Sequence, residues 1–181
     1  LQRGGVLPRP VRDVQDALAF IRERAGEYGV DPERLFLGGF SAGGALALLA
    51  AGMPHREGGP PKVRGVASVF PPTDFSRLRG GTATTLRHLL TRARTAEGMR
   101  ARSPVAHADF EAPVRVIHGD ADEMVPIAHS ERFVAERKRL GREAELLVYE
   151  GAPHTFNCLE DTEYPERCVR DLVDFVRAHT G

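Results

Sequence analysis

The chain has 181 residues, of which 41% are hydrophobic and 28% are charged, and its formal net charge is zero. This balance is that of one globular domain with a sizeable core. The lack of a basic excess argues against a nucleic-acid or membrane-surface binder. The longest apolar run, Ala45 to Met53, is too short to span a bilayer.

The first part of the chain is predicted to be a loop followed by an amphipathic helix. Residues 1–10 contain two glycines and two prolines and no signal-peptide pattern, which favours a cytoplasmic location. Apolar residues then recur at steps of three and four from Val11 to Tyr28, which predicts a helix that packs one face on a core. Gly29 ends this helix, and Asp31-Pro32 turns the chain into the next strand.

A serine between glycines follows this turn. The strand-like run from Arg34 to Gly38 leads into Gly39-Phe40-Ser41-Ala42-Gly43, and a small-residue helix from Ala45 to Ala51 comes next. Strand, turn and helix are the context of a G-x-S-x-G nucleophile elbow, whose strained turn exposes the serine hydroxyl. Side chains at the glycines are expected to collide with the neighbouring strand and helix. Ser41 is the candidate nucleophile, and a helix N-cap is the alternative.

Strands and helices alternate along the rest of the chain. Val63 to Phe70 is predicted to be a buried strand, and residues 73–108 are irregular, with a helical candidate at Thr84 to Arg94. Later strands are predicted at Val114–His118 and Ala144–Tyr149, and helices at Ile127–Leu140 and Pro165–His179. This alternation predicts an α/β fold with a parallel sheet and helices on both faces.

Three candidate catalytic groups each follow a predicted strand. Ser41 follows the first strand, Asp122 the third and His154 the fourth, so all three fall at the carboxyl ends, where open α/β sheets bind ligands. A serine hydroxyl needs a base to accept its proton, a histidine titrates near neutral pH, and a carboxylate can orient the imidazole. The order Ser, Asp, His is that of the α/β-hydrolase arrangement.

These motifs resemble the α/β-hydrolase superfamily. Residues 10–181 resemble the C-terminal part of its domain and are most similar to small esterases of the hormone-sensitive-lipase and bacterial acetyl/feruloyl-esterase type. The resemblance implies hydrolysis of a small-molecule carboxylic ester that carries an acetyl or other short-chain acyl group. It implies no cofactor and no metal. It implies Ser41 as nucleophile, His154 as base and Asp122 as acid, with the Ala42 N–H as one oxyanion donor. The residues that carry it are Tyr28–Arg34, Gly39–Gly44, His118–Pro126 and Gly151–His154.

The chain departs from this family in its first part. These esterases carry a His-Gly-Gly loop upstream of the serine that supplies further oxyanion donors, and the forty residues before Ser41 contain no such motif. The strands expected beyond the serine strand are also missing. We expect residues 1–181 to be one partial α/β-hydrolase domain and a fragment of a longer protein, because a naturally trimmed form would expose an apolar sheet edge.

The segment 73–108 takes the place of the cap that α/β-hydrolases insert over the pocket. Its leucines are expected either to line an acyl or alcohol pocket or to pack on the sheet without contacting a ligand; they are Leu78, Leu86, Leu89 and Leu90. Asp74, which follows a Pro-Pro-Thr run, resembles a recurrent feature of these esterases and is interpreted as a turn anchor.

Other acidic residues and histidines compete for the proposed roles. Asp120 and Glu123 are alternatives to Asp122, which the family pattern selects. His118 is expected to be packed and hydrogen-bonded beside the site, and a metal site with the two aspartates is a weak alternative. The remaining histidines are expected to be solvated or at the surface: His55, His88, His107, His129 and His179.

Four further questions stay open at this point. Cys158 and Cys168 match no zinc pattern and are expected to be unpaired thiols, with a disulfide as the alternative. An amide-directed hydrolase, aminopeptidase-like or formamidase-like, would use the same triad. A catalytically incomplete remnant is the non-enzyme alternative. The sequence does not determine the oligomeric state.

Overall fold

The computed structural model describes residues 7–55, 58, 61–78, 93 and 95–180. Within these residues strands and helices alternate in the predicted order. The helices are α1 (Arg9–Glu23), α2 (Ala25–Tyr28), α3 (Ala42–Gly52), α4 (Ala96–Arg100), α5 (Ala128–Arg139) and α6 (Tyr164–Ala178). The strands are β1 (Phe36–Phe40), β2 (Gly65–Val69), β3 (Val114–Gly119) and β4 (Ala144–Tyr149). Short 3₁₀ turns lie at Phe75–Arg77, Pro104–His107 and Phe156–Cys158.

The described strands form one parallel sheet in the order β1-β2-β3-β4. Gly39 of β1 is in register with Ser68 of β2, and Ile117 of β3 with Leu147 of β4. Because the strands are parallel, their carboxyl ends meet at one edge of the sheet. The predicted α/β fold is confirmed, and the loops that carry Ser41, Asp122 and His154 all leave this edge.

Helices cover both faces of the sheet. Side chains alternate along each strand, so Val66 and Val116 point to one face and Val69 and Ile117 to the other. The first face packs against α3 and α5, with α1 packed on α3, and the second face packs against α6. No helix in the described ranges is both long and apolar enough to cross a bilayer.

Several elements end at other residues than predicted. The predicted helix from Val11 to Tyr28 begins at Arg9 and is divided after Glu23. Its second part, α2, ends at Tyr28 as predicted, and Gly29 caps it in the left-handed conformation with φ 62°. Strand β1 continues to Phe40, so the turn begins at Ser41. Apart from Ala93, the helical candidate at Thr84 to Arg94 lies outside the described residues.

Of the leucines expected either to line a pocket or to pack, only Leu78 is described. It is buried in the core that includes α1 and α3, with Phe75 and Met99. This position fits the packing alternative. Leu86, Leu89, Leu90 and His88 lie outside the described residues.

A buried arginine fastens the loop before β3 to helix α5. The guanidinium of Arg137 donates four hydrogen bonds of 2.6–3.0 Å to backbone carbonyl oxygens. It also stacks on the Phe110 ring, 4.1 Å from the ring centroid. Burial lowers the pKa of Arg137 to about 10, so the side chain keeps its charge at neutral pH. The four acceptors are the carbonyl groups of Ala108, Phe110, Ala112 and Glu143.

Candidate active site

Ser41 occupies a strained turn between β1 and α3. Its backbone has φ 51° and ψ −120°, a region that residues other than glycine rarely enter. Such a conformation costs about 1–3 kcal/mol and persists only where the surroundings impose it. Here the Ser41 N–H donates to the Val69 carbonyl at 2.9 Å, and the Ser41 carbonyl accepts from the Ala45 N–H at 3.1 Å. The sheet and the helix thus fix the turn from both sides.

The glycines around Ser41 are not equivalent. A Cβ atom on Gly39 would lie 2.4 Å from the carbonyl carbon of Gly43, and one on Gly44 would lie 2.6 Å from the Ser68 Oγ. A Cβ atom on Gly43 would meet nothing within 4 Å. The expectation of a collision is therefore wrong for Gly43, and the contact with the neighbouring strand falls instead on Gly44, outside the five-residue motif.

The structure brings together the side chains of Ser41, His154 and Asp122. The Nε2 atom of His154 lies 3.0 Å from the Oγ atom of Ser41, and its Nδ1 atom lies 2.6 Å from the Oδ2 atom of Asp122. An ionised carboxylate only accepts hydrogen bonds, so Nδ1 carries the proton and Nε2 of the neutral ring accepts from the serine hydroxyl. This arrangement can move a proton from Ser41 to His154.

The Asp122 carboxylate is buried and held by several donors. Its Oδ1 atom accepts from the backbone N–H groups of Met124 and Val125, at 3.0 and 2.8 Å. Its Oδ2 atom also lies 3.2 Å from the Nε2 atom of His118. Burial by itself would raise the pKa of Asp122, but the hydrogen bonds from two imidazoles and a backbone N–H hold it well below the usual carboxyl range. Asp122 is therefore an anion at neutral pH.

The neighbouring acidic residues lie outside this chain of hydrogen bonds. Asp120 is exposed, and its Oδ1 atom accepts from the Gly151 N–H at 2.7 Å, which ties the loop after β3 to the loop before His154. Glu123 is also exposed. Of the three acidic residues in this segment, Asp122 is the one that contacts His154.

His118 is packed and hydrogen-bonded beside the site, as predicted. Its Nε2 atom lies 2.8 Å from the Val125 carbonyl oxygen, and its Nδ1 atom lies 2.6 Å from the Ser130 Oγ. Because Nε2 faces two acceptors, it carries the proton, and Nδ1 accepts from the Ser130 hydroxyl. Among the described residues, no cluster of three or more His, Cys, Asp or Glu side chains is arranged to hold a metal ion.

The expectation that His129 is solvated is wrong. The side chain is buried in α5, and its Nδ1 atom accepts from the backbone N–H groups of Thr73 and Asp74 at 3.3 and 3.2 Å. Burial lowers the pKa of His129 to about 4.

The side chain of Asp74 accepts from the Ser76 N–H at 3.1 Å, so the prediction of a turn anchor is confirmed.

The other described histidines are only partly solvated. His55 Nε2 lies 3.0 Å from the Asp16 Oδ1, His107 Nε2 lies 3.0 Å from the Ala101 carbonyl, and His179 Nδ1 lies 2.8 Å from the Phe175 carbonyl. All three are half-buried.

Both cysteines are free thiols, Cys158 exposed and Cys168 buried. Burial raises the pKa of the Cys168 thiol to about 11.

Ala42 is the first residue of α3 and follows Ser41 directly. The first N–H groups of a helix have no acceptor within the helix and point out of its amino end, where the helix dipole is positive. The Ala42 N–H therefore stands beside the serine with the polarity that an oxyanion needs.

One aromatic residue at the site was not singled out from the sequence. The ring of Phe70, directly after β2, lies against the His154 imidazole, with 4.6 Å between ring centroids. No local pattern marks it, because the contact arises only when β2, β3 and β4 pair in one sheet and bring the ends of β2 and β4 together. A cavity of about 490 Å³ lies away from the triad and is lined by none of its residues. Its lining comes from α1, α3 and the segments before the four strands, and includes Lys62, Ala112 and Arg142.

Comparison with known proteins gives a consistent result. The family described as BD-FAE matches residues 2–136, a stretch that includes Ser41 and Asp122. Esterase LipQ of Mycobacterium tuberculosis is 30% identical over 167 residues, which cover 84% of this chain and 39% of LipQ. The chain thus spans about two fifths of that relative.

Solved structures agree with this result. A truncated form of a carbohydrate esterase from gut microbiota is 23% identical with a TM-score of 0.78, over 96% of this chain and 69% of that one. This likeness shows the fold, the C-terminal part of an α/β-hydrolase. The propionate-bound Est2 esterase of Thermogutta terrifontis is 28% identical with a TM-score of 0.68, over 91% of this chain and 64% of that one.

Proposed function

Because the chain belongs to the BD-FAE family, we propose that it hydrolyses carboxylic esters by means of Ser41, His154 and Asp122. One observation carries the proposal: a continuous line of hydrogen bonds runs from the Ser41 hydroxyl through His154 to Asp122, with heavy-atom distances of 3.0 and 2.6 Å. The esterase names of LipQ and Est2 support the same reaction.

In the first half of the proposed reaction, Ser41 attacks the ester carbonyl. As the Oγ–C bond forms, the hydroxyl proton passes to Nε2 of His154, and the carbonyl oxygen becomes an oxyanion. Asp122 stabilises the imidazolium and fixes the tautomer that can accept the proton. When the tetrahedral intermediate collapses, the Nε2 proton passes to the leaving alcohol, and the acyl group stays on Ser41.

In the second half, a water molecule repeats these steps. It gives a proton to His154 as it attacks the acyl carbon, and Ser41 leaves with that proton as the carboxylic acid is released. The Ala42 N–H serves as one oxyanion donor in both halves, and the loss of one such donor typically lowers the rate by about 10²–10³. The proposed acyl group is acetyl or another short chain, in line with the propionate bound to Est2.

The test is hydrolysis of p-nitrophenyl acetate by the chain and by three variants. Ser41→Ala should abolish the activity, and Asp122→Asn should lower kcat by about 10⁴ because the wrong imidazole tautomer results. Asp120→Asn is the matched control, since it changes an exposed carboxylate two residues away, and it should keep most of the activity. A larger acceleration over the uncatalysed rate for the acetate than for an amino-acid p-nitroanilide would favour an ester over an amide substrate.

Two results would overturn the proposal. One is hydrolysis that persists in Ser41→Ala. The other is a folded wild-type chain with no activity above that variant, which would favour the incomplete-remnant alternative for this chain.

A further inference from the structure

Three residues around the candidate triad have left-handed backbone conformations. Ser41 has φ 51°, Phe70 has φ 40° and Thr155, next to His154, has φ 60°. A positive φ is a genuine outlier for a bulky residue such as phenylalanine. Strained residues of this kind cluster at functional sites, so an observed outlier is a reason to ask what the residue does.

The strained backbone of Phe70 is pinned between two neighbouring strands. The Phe70 N–H donates to the Ile117 carbonyl of β3 at 2.7 Å. The carbonyl of the preceding residue, Val69, accepts from the Ser41 N–H at 2.9 Å. The turn after β2 is thus fixed on one side by the backbone of Ser41 and on the other by β3, and the direction of the Phe70 Cα–Cβ bond is fixed with it.

The ring of Phe70 packs against the imidazole of His154. The two centroids are 4.6 Å apart with the planes tilted by 56°, and Phe70 is 1% exposed. On its other side the ring meets Phe156 edge-on, with 5.1 Å between centroids. Phe156 is itself fully buried against Tyr149. The Phe70 ring is therefore supported on its far side and cannot move away from the imidazole without opening a cavity.

Two hydrogen bonds alone do not fix an imidazole ring. Bonds from Nδ1 to Asp122 and from Nε2 to Ser41 define a line through the ring, and the ring can still tilt about that line. A tilt weakens both bonds, because hydrogen bonds lose strength as they depart from linearity and from the acceptor plane. A packed side chain against the ring is what limits the tilt.

We infer that Phe70 is a positioning residue for His154: its ring fixes the tilt of the imidazole and keeps water from that side of the Nδ1–H···Asp122 hydrogen bond. The inference rests on the proposed function for its effect on turnover. Its effect on the hydrogen bond itself can be measured without any turnover.

The chain contains a matched control pair far from the site in sequence. Phe175 and His179 in and after α6 have ring centroids 4.6 Å apart with planes tilted by 50°, and Phe175 is also 1% exposed. Phe175→Leu therefore removes an equally buried ring from an equally close histidine that has no contact with Ser41 or Asp122 in the described residues. Any loss of stability or activity that comes only from replacing a buried ring should appear in both Phe70→Leu and Phe175→Leu.

The first measurement is the low-field proton NMR resonance of the His154 Nδ1–H, assigned by its loss in His154→Gln. In Phe70→Leu this resonance should broaden or disappear because the proton exchanges faster with water. In Phe175→Leu and in Phe70→Tyr, which keeps a ring at the position, it should persist. An unchanged resonance in Phe70→Leu, or an equal loss in Phe175→Leu, would overturn the inference.

The second measurement is the kinetics of p-nitrophenyl acetate hydrolysis. Phe70→Leu should lower kcat about tenfold to a hundredfold, as a misplaced catalytic group does, and change KM little. Phe70→Tyr should recover most of kcat. A fall in kcat of the same size in Phe175→Leu would overturn the inference. If no variant and no wild-type sample shows activity, the proposed function fails while the NMR result still decides the inference on Phe70.

Discussion

The Nε2 atom of His118 lies 3.2 Å from the Oδ2 atom of Asp122, and both side chains are fully buried. The same oxygen receives the Nδ1–H of His154 at 2.6 Å. Both contacts favour the ionised form of the carboxyl group, because each places an imidazole donor on its oxygen. His118 thus helps His154 to hold the pKa of Asp122 low.

The charge of Asp122 should make stability depend on pH in a defined direction. Its folded pKa lies below the unfolded value of about 3.9, so the ionised form stabilises the fold above about pH 4, and this stability is lost as pH falls through the folded pKa. Asp122→Asn should therefore lower Tm at pH 7, and the difference should shrink below pH 4. Thermal unfolding followed by circular dichroism measures both. A difference that stays constant down to pH 3 would contradict this account.

His129 should destabilise the fold in mild acid. Burial lowers its pKa to about 4, whereas an unfolded histidine titrates near 6.5, so the unfolded chain takes up a proton first as pH falls. Stability should fall by on the order of 3 kcal/mol between about pH 6.5 and 4. His129→Asn keeps an acceptor for the Thr73 and Asp74 N–H groups but cannot titrate, so its urea midpoint should fall less across that window. Equal slopes for both proteins would refute the assignment.

Local sequence patterns predicted the strands and the longer helices, and the order of the candidate residues along the chain, but not the separate helices α2 and α4. Short-range periodicity predicts the alternation of strands and helices. The candidate residues follow the ends of strands, and a parallel sheet brings those ends together. The burial of His129 was missed because its backbone partner Thr73 is 56 residues away in the chain. Nothing near His129 in the sequence marks that contact.

Arg137 should be a principal stability determinant outside the site. Removal of its guanidinium takes a donor from four carbonyl groups; those of Ala108 and Glu143 keep the N–H groups of Phe110 and Val114, whereas those of Phe110 and Ala112 lose the donor that holds them. Arg137→Met should therefore lower the free energy of unfolding by about 3–5 kcal/mol. Arg139→Met, at an exposed position of the same helix that pairs with Glu136, should lose much less stability, because a solvent-exposed ion pair contributes little. Chemical denaturation of both variants gives the comparison, and equal losses would show that the carbonyl contacts contribute little.

Replacement of each elbow glycine by alanine should change the stability by a different amount, because the space around each glycine differs. Gly39→Ala places a methyl group 2.4 Å from backbone atoms, and Gly44→Ala places one 2.6 Å from Ser68, so each should destabilise the fold by about 1–3 kcal/mol or more. Gly43→Ala enters open space in a helix and should be neutral or stabilising by up to about 1 kcal/mol. Tm values of the three variants test this. A loss in Gly43→Ala as large as in Gly39→Ala would contradict the geometry.

The different behaviour of these glycines could not be predicted from the motif. Whether a methyl group fits at Gly44 depends on the register that places Ser68 opposite Gly39. Register is set by the pairing of β1 with β2, two strands separated by the whole of α3. The motif locates the turn, and the packing of the sheet determines which of its positions require glycine.

The most direct test of the account is covalent labelling with a p-nitrophenyl phosphonate. The Ser41 oxygen would bond to phosphorus and displace p-nitrophenolate as its proton passes to His154, so labelling reports the nucleophile and its base without a complete turnover. Mass spectrometry should find the label on the tryptic peptide of residues 35–56, in which Ser41 is the only residue with a hydroxyl group. The label should be absent in His154→Gln. A label on another peptide, or equal labelling of His154→Gln, would contradict the assignment of Ser41 and His154.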